Sequence, residues 1–365
     1  MKRVVAFVCI NGSGMGHATR ILAIARRLPE GITPLIVSNS PALDAFDLLP
    51  GAVIEHIPGF DYLDMSRRAW TSQLRREFDA LLRFYGATVV VQDGTALYPW
   101  LLDGVLGNDL GRRLAWIRRP MWRDVEAVYK NLENQKFCDL VIEPGEAAAE
   151  IDDGPTTRAM ELAPPPARFV RTAPIRLLDD SEILDRPAAR VRLGIGNGEK
   201  AVLIQLGAGA IERNWDAAGG AIAALRRRGG VRIFLARWKI AGDLPMFGED
   251  VTVLDAYPLA RLFPAFDMVV SAAGYNSYHE LAAARVPAIF VPNRMEVDDQ
   301  ARRAGHAATQ GWAEVELRSP AGTFAGRIEA AVNRVLERPS RLLDPGVAVN
   351  GARQAAEAIA ALCPA

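Results

Sequence analysis

The chain is 365 residues long, half hydrophobic and 24% charged, which is enough for two domains with cores of their own and no metal or disulfide staple. Lys plus Arg and Asp plus Glu each number 43, so the formal net charge is zero, and a chain built to hold polyanions through excess positive charge is excluded. No apolar run reaches the roughly 18 residues of a membrane-spanning helix, and the three cysteines, Cys9, Cys138 and Cys363, are too far apart for a metal motif and read as buried thiols of a reducing cytoplasm.

The short basic, apolar start runs into a glycine-rich loop rather than a small-residue cleavage site, so residues 4–10 read as a first strand and not as a leader. The loop NGSGMGH follows at 11–17. A helix then begins, with Ile21, Ile24, Ala25 and Leu28 at helical spacing and Arg20, Arg26 and Arg27 off that face. Further strands are predicted at 34–38, 52–57, 87–92 (ATVVVQ, closing on Asp93), 114–117 and 139–142. The run APPPA at 163–167 cannot lie within a helix or central strand and reads as a stiff connector, continued by 169–175 and a polar stretch to about Arg192. After Gly198 the pattern restarts with a strand at 201–206, a glycine-rich turn, a helix at 215–228, strands at 231–236, 251–254, 268–271 and 288–291, and helices at 324–336 and 351–362. Buried strands alternating with helices predict an α/β fold with parallel sheets. The loose likeness of the two halves predicts two facing Rossmann-like domains with a cleft between them: an N-terminal domain over 1–165, a linker over 166–192, a C-terminal domain over 193–345, and a last helix within 346–365.

Three motifs carry chemistry. In the first, Gly12, Gly14 and Gly16 let the backbone turn sharply and approach a ligand, and His17 stands at a helix start, where a neutral imidazole suits general-base work or simply caps the helix. A dinucleotide fingerprint would also want an acidic residue closing the second strand, which instead ends Val37-Ser38-Asn39, so a dehydrogenase reading is weak. The second motif, Gly207-Ala208-Gly209-Ala210, offers backbone N–H groups to phosphate oxygens or is only a tight turn. The third runs from Ser271 through Gly274, Asn276, Ser277 and Glu280 to Pro292, Asp299 and Gln300. A helix start here makes an anion site. Ser277 and Glu280 are also spaced as a capping box, in which Glu280 would bond only to backbone. Glu280 could instead reach a ribose diol, while Asp299 and Gln300, a carboxylate beside an amide, suit sugar hydroxyls or mark a solvated helix start.

Gly274-Tyr275-Asn276-Ser277-x-x-Glu280, with Pro292 and Asp299-Gln300, resembles the donor-binding signature of the family 1 UDP-glycosyltransferases. Gly14-Met15-Gly16-His17 and the run from Glu280 to Pro287 resemble family 28, and the likeness extends from Gly12 to about Gly311. It implies the GT-B fold, with the acceptor in the N-terminal domain, the nucleotide sugar in the C-terminal one, and a final helix crossing back to the first domain. Carried over by position, it implies diphosphate contacts at Asn276 and Ser277; the loop glycines Gly207, Gly209 and Gly274 are donor-binding candidates beside them. It implies a ribose contact at Glu280, donor-sugar contacts at Asp299 and Gln300, a catalytic base at His17 and its orienting partner at Asp93. The chain departs from the family 1 signature at Ala272, where a phosphate-binding His would stand, and at Leu254, where a base-stacking Trp would stand with Tyr257 the nearest aromatic.

The cluster Arg112, Arg113, Trp116, Arg118, Arg119, Met121, Trp122 and Arg123 reads either as a patch for an anionic acceptor or membrane surface, or as a solvated face with its Trp residues in the core. Gly14, Gly16, Arg119 and Trp122 are the acceptor-side candidates. The Asp152-Asp153 and Asp179-Asp180 pairs have no supporting ligand pattern, so neither a metal nor another cofactor is expected. The reading is an inverting, metal-independent glycosyltransferase that uses a nucleotide sugar, UDP-sugar first, and a hydroxyl acceptor that is lipid-linked or a natural product. It is placed in the cytoplasm, with the inner membrane face as a peripheral site, and no nucleic acid is a partner. Its rivals are a UDP-sugar 2-epimerase of the same fold and a non-catalytic, transferase-like binding subunit.

Overall fold

The computed structural model describes residues 3–10, 14–107, 111–207, 215–237, 247–317, 323–337 and 349–364. The chain forms two compact units, Met1–Leu177 with Val349–Ala365, and Leu178–Ala348.

In chain order the first unit contains β1 (Arg3–Cys9), α1 (Gly16–Ala25), β2 (Ile32–Ser38), β3 (Val53–His56), α2 (Arg67–Tyr85), β4 (Ala87–Asp93), α3 (Pro99–Leu106), β5 (Arg113–Ile117), α4 (Glu126–Glu133), β6 (Leu140–Glu143), α5 (Ala159–Leu162) and β7 (Phe169–Arg171). The strands pair in parallel in the order β3-β2-β1-β4-β5-β6-β7. From Val4 to Cys9 every residue of β1 is buried, because a parallel strand covered by helices on both faces is apolar throughout instead of alternating. The order reverses direction between β1 and β4, so the loops leaving these two neighbours diverge and open a crevice at their carboxyl ends. Helix α2 shows how local sequence sets an element. Ser66 caps it, its side chain accepting from Ala69 N at 3.2 Å. Trp70, Leu74, Phe78 and Leu82 form its buried stripe, and Gly86 ends it at φ 65°.

The second unit contains α6 (Arg186–Arg192), β8 (Lys200–Gln205), α7 (Trp215–Arg228), β9 (Val231–Ala236), β10 (Val251–Leu254), β11 (Met268–Ser271), α8 (Tyr275–Ala284), β12 (Ala288–Phe290), α9 (Gln300–Thr309), β13 (Ala313–Val315) and α10 (Thr323–Glu337). Its parallel order is β10-β9-β8-β11-β12-β13, with the reversal between β8 and β11. Small residues of α7 (Ala217, Ala218, Ala221, Ala224) and apolar residues of α10 (Ile328, Val332, Val335) share one core with Val202, Ile204, Met268 and Val270 of the sheet.

The stretch 166–192, expected as a linker, carries regular structure at both ends. The three prolines do interrupt the regular structure, but the chain then forms β7, whose Phe169 and Val170 pair with Val141 and Ile142. Arg186–Arg192 forms a helix held to the second unit by Arg190 Nη1 donating to Ala265 O at 3.1 Å. The division between units falls between Leu177 and Leu178, inside that stretch. Helix α11 (Ala352–Ala360) groups with the first unit and packs on α1 through a buried face of Ala352, Ala355, Ala356 and Ile359. Its start is pinned by Asn350, whose side chain bonds both Arg176 N (3.1 Å) and Arg176 O (3.0 Å). Among the described residues no helix is long and apolar enough to cross a membrane.

Candidate active site

At the reversal point of the first sheet, β1 leads through the glycine loop into α1, and β4 ends beside it on Asp93. His17, second residue of α1, places Nδ1 2.5 Å from Asp93 Oδ1. A nitrogen that close to a carboxylate oxygen carries the proton, so the imidazole is assigned as the Nδ1–H tautomer with its lone pair on Nε2. The His17 side chain keeps 18% of its surface exposed, while Asp93 keeps 1%. Such burial of a carboxylate requires a counter-charge, and Arg20 supplies it: Nε donates to Oδ2 at 2.9 Å and Nη2 to Oδ1 at 2.6 Å. Arg20 lies one turn beyond His17, so the i, i+3 spacing of α1 delivers both side chains to one carboxylate.

Burial lowers the pKa of His17 below its ordinary 6.5; Asp93 acts upward, but Arg20 and Arg119 act downward with the burial. Burial works to raise the pKa of Asp93, yet Arg20 and then His17 outweigh it and hold the carboxyl below its ordinary value. The site therefore holds a neutral imidazole against an anionic, cation-clamped carboxylate. Neither Gly14 nor Gly16 has a left-handed φ, and a Cβ on Gly14 would meet nothing within 4 Å, while one on Gly16 would only touch Arg20 Nη1 at 3.9 Å. Packing within the fold does not call for glycine at either position. Gly12 lies outside the described residues.

The reversal point of the second sheet joins Gln205, at the end of β8, to Ser271, at the end of β11. Gly207 follows at φ 92°, a conformation that only glycine adopts without strain. Gly209 lies outside the described residues. After β11, Gly274 is the N-cap of α8 and provides no side-chain cap, and the first turn is Tyr275, Asn276 and Ser277. Ser277 is thus the third residue of the helix and Glu280 the sixth, which overturns the capping-box alternative: that motif needs its hydroxyl at the N-cap. Gln300, 7% exposed at the start of α9, accepts from Asn293 N at 3.0 Å through Oε1, and its Nε2 lies 3.8 Å from where a Cβ of Gly274 would be. The two donor-side motifs are therefore neighbours. Asp299 is the N-cap of α9, its Oδ1 accepting from Arg302 N at 3.1 Å, so the capping alternative holds for one of its oxygens. Leu254 and Tyr257 are both half-buried.

Sequence reasoning missed two residues here. Arg20 is one. Arg303, fully buried, donates to Ala273 O at 2.9 Å and to Asp298 at 3.1 Å, bracing the loop before α8 from α9. The adjacency of Asp298 to Asp299, five residues before Arg303, was the available signal.

Of the two readings of the basic and aromatic cluster, the one with its Trp residues in the core holds, while Arg112 and Arg118 are buried rather than solvated. β5 is an interior strand, so Trp116 is fully buried and Trp122, 2% exposed, packs against it with centroids 6.1 Å apart. Neither indole can reach a membrane. Arg112 is buried against Asp79 (2.6 Å), and Arg118 is buried against Glu143 (3.1 Å) and Gln135 (2.6 Å). Arg119 of this group bears on the site through its charge on His17. Asp152 braces the same loop, accepting from Met121 N at 3.0 Å and Gly154 N at 3.0 Å, and Asp179 forms a capping box with Glu182.

Residues 241–359 match the glycosyltransferase family 28 C-terminal domain. No curated protein matches the sequence. Among solved structures, the glycotransferase of kitacinnamycin is similar with a TM-score of 0.66 at 16% identity, covering 100% of both chains. A UDP-glucosyltransferase from Polygonum tinctorium capable of glucosylating indoxyl is similar with a TM-score of 0.69 at 14% identity, covering 99% of both chains. The glycosyltransferase VinC, in complex with dTDP, gives 0.58 at 14% identity, covering 98% of this chain and 99% of that one. At such identities the likeness is one of fold. The GT-B fold along the whole chain, with a glycosyltransferase domain in its second half, defines the class as that of the glycosyltransferases. Within that class the chain resembles families 28 and 1.

Proposed function

We propose that the protein is an inverting, metal-independent glycosyltransferase that moves a sugar from a nucleoside diphosphate donor, a UDP-sugar first, to a hydroxyl group of a small-molecule acceptor. The observation that carries this reading is the 2.5 Å contact between His17 Nδ1 and Asp93, which leaves Nε2 as the base. In the reaction His17 Nε2 takes the hydroxyl proton as the acceptor oxygen bonds to the anomeric carbon, and the bond from that carbon to the diphosphate oxygen breaks on the opposite face, inverting the configuration. Asp93 holds the imidazole tautomer and stabilises the imidazolium. Gly14 and Gly16 leave room for the acceptor to approach the backbone.

On the donor side, the diphosphate charge is met by the N–H groups and dipole of α8, with Asn276 and Ser277 in that first turn and Gly207, Gly209 and Gly274 keeping the loops close. Glu280 binds the ribose diol, and Asp299 and Gln300 bind the donor sugar. Similar structures hold UDP-2-fluoro-glucose or thymidine diphosphate, which supports a diphosphate donor. A cytoplasmic location fits the free thiols Cys9, Cys138 and Cys363.

The test is transfer from an α-linked UDP-sugar in the presence of EDTA, with the product's anomeric configuration read by NMR. A β-linked product formed at undiminished rate is expected. An α-linked product would refute inversion, and rescue by added divalent ion would refute metal independence. Epimerised sugar nucleotide appearing without any acceptor would establish the epimerase reading instead.

A further inference from the structure

The proposed chemistry uses His17 and Asp93, but the same carboxylate carries a second buried partner with a geometry closer than charge neutralisation requires. Arg20, 2% exposed, engages both oxygens of Asp93 through Nε and Nη2, and Nη2 also lies 3.1 Å from His17 Nδ1. Asp93 Oδ1 is thus shared between the imidazole and the guanidinium. A planar fork of two N–H donors fixes the plane of the carboxylate, which a single bond to His17 would leave free to turn. A guanidinium has no lone pair, so it cannot accept from Nδ1; among the described residues the acceptor at Nδ1 is Oδ1.

Charge gives a second consequence. A bare aspartate beside histidine favours the imidazolium. Here the aspartate is already half of a neutral ion pair, so an incoming proton on Nε2 would meet a site whose net charge rises from zero to plus one. The charged groups acting on His17 are Asp93 from β4, Arg20 from α1 and Arg119 after β5. From β1 the titratable neighbour of the Asp93–Arg20 pair is the Cys9 thiol, bonded to Ser38 and pushed by burial to about 12, so it stays neutral.

We propose that Arg20 is a positioning residue of the His17–Asp93 pair: it locks the carboxylate so that the proton stays on Nδ1, and its charge keeps Nε2 unprotonated at acidities where a His–Asp pair alone would take up a proton. This rests on His17 being the base. The rival is that Arg20 only makes the burial of Asp93 tolerable.

The experiment follows the imidazole resonances of labelled enzyme through pH, with His17 assigned by its loss in His17→Ala, alongside the pH profile of kcat/KM. Arg20→Gln should move both the His17 midpoint and the acid limb upward by about one pH unit, the scale of one nearby charge, with donor KM unchanged. Arg20→Lys should return the midpoint to the parent's position while kcat stays about tenfold down, because the fork is lost. A uniform loss of rate at every pH with an unmoved midpoint would overturn the proposal. Should Arg20→Gln not fold, Arg20→Lys decides: parental kcat would overturn the proposal, and a parental midpoint with reduced kcat would support it. The titration needs no turnover, so the failure of His17 as base, seen as full activity in His17→Ala, is read separately.

Discussion

A hydroxyl is a poor nucleophile near neutral pH, and His17 combines a carboxylate partner with access to solvent. His279 is fully buried, donating from Nδ1 to Tyr275 O at 2.7 Å, and His306 is bonded to Tyr278 at 2.9 Å within the core. Replacing His17 with Ala is expected to cut kcat by about 100-fold or more with donor affinity retained by calorimetry. Asp93→Asn should impair the same step, and the double variant should be little worse than either single one, because the two act as a unit. Stability carries a second signature. His17 titrates below 6.5 in the folded state, so below that pH the unfolded chain binds more protons and the fold loses stability as acid is added. Asp93 adds a further loss only below its ordinary 3.8. Melting temperatures of His17→Gln should accordingly fall less than the parent's between pH 6.5 and 4.5; a parallel fall would show that His17 is not held neutral by burial.

At the scale of an element, α8 begins one turn earlier than a capping box would allow, and this separates two roles for Glu280. In the second turn, Glu280 is too far along the helix to satisfy the N-cap backbone. Glu280→Ala is therefore expected to remove most of the stabilisation that UDP confers by mass action. A fall in basal stability with the UDP-induced shift intact would refute the ribose assignment. Gln300→Ala tests α9 in the same way: affinity for UDP-sugar should drop while affinity for UDP holds, and an equal loss for both would show that Gln300 only stitches Asn293 to the helix.

At the scale of the molecule, the chain's last helix completes the unit that holds His17. Gly351 precedes α11 so closely packed that a Cβ would lie 1.9 Å from Ala173 O, a backbone atom that cannot swing aside. Gly351→Ala is expected to cost about 1–3 kcal/mol, as overpacking does. Calorimetry should show the loss in the first unit's melting only, leaving UDP-induced stabilisation of the second unit in place. Loss of that stabilisation would mean that α11 supports both units.

Much of this was legible in the residues. Apolar runs such as 87–92 and 268–271 are buried on both faces of a parallel sheet, so composition alone located most of the strands. Glycines before His17 and Asn276 marked, in each unit, a place where a strand runs into a helix, because backbone turns of that kind need little context. The prolines at 164–166 did not mark the domain boundary, because a break in regular structure does not say whether the next three residues find a partner; β7 did, on β6. Nor could sequence assign Arg20. On a helical wheel it sits off the apolar stripe, where an arginine is ordinarily solvated, and only the closure of β1 against β4 brings a carboxylate 73 positions away within 2.6 Å of it. The pairing of β5 with β4 and β6 likewise buries Trp116, against which Trp122 packs. Periodicity fixes what a segment can do along its own axis, while pairings between distant segments depend on which strands lie side by side, and that is decided by the tertiary structure.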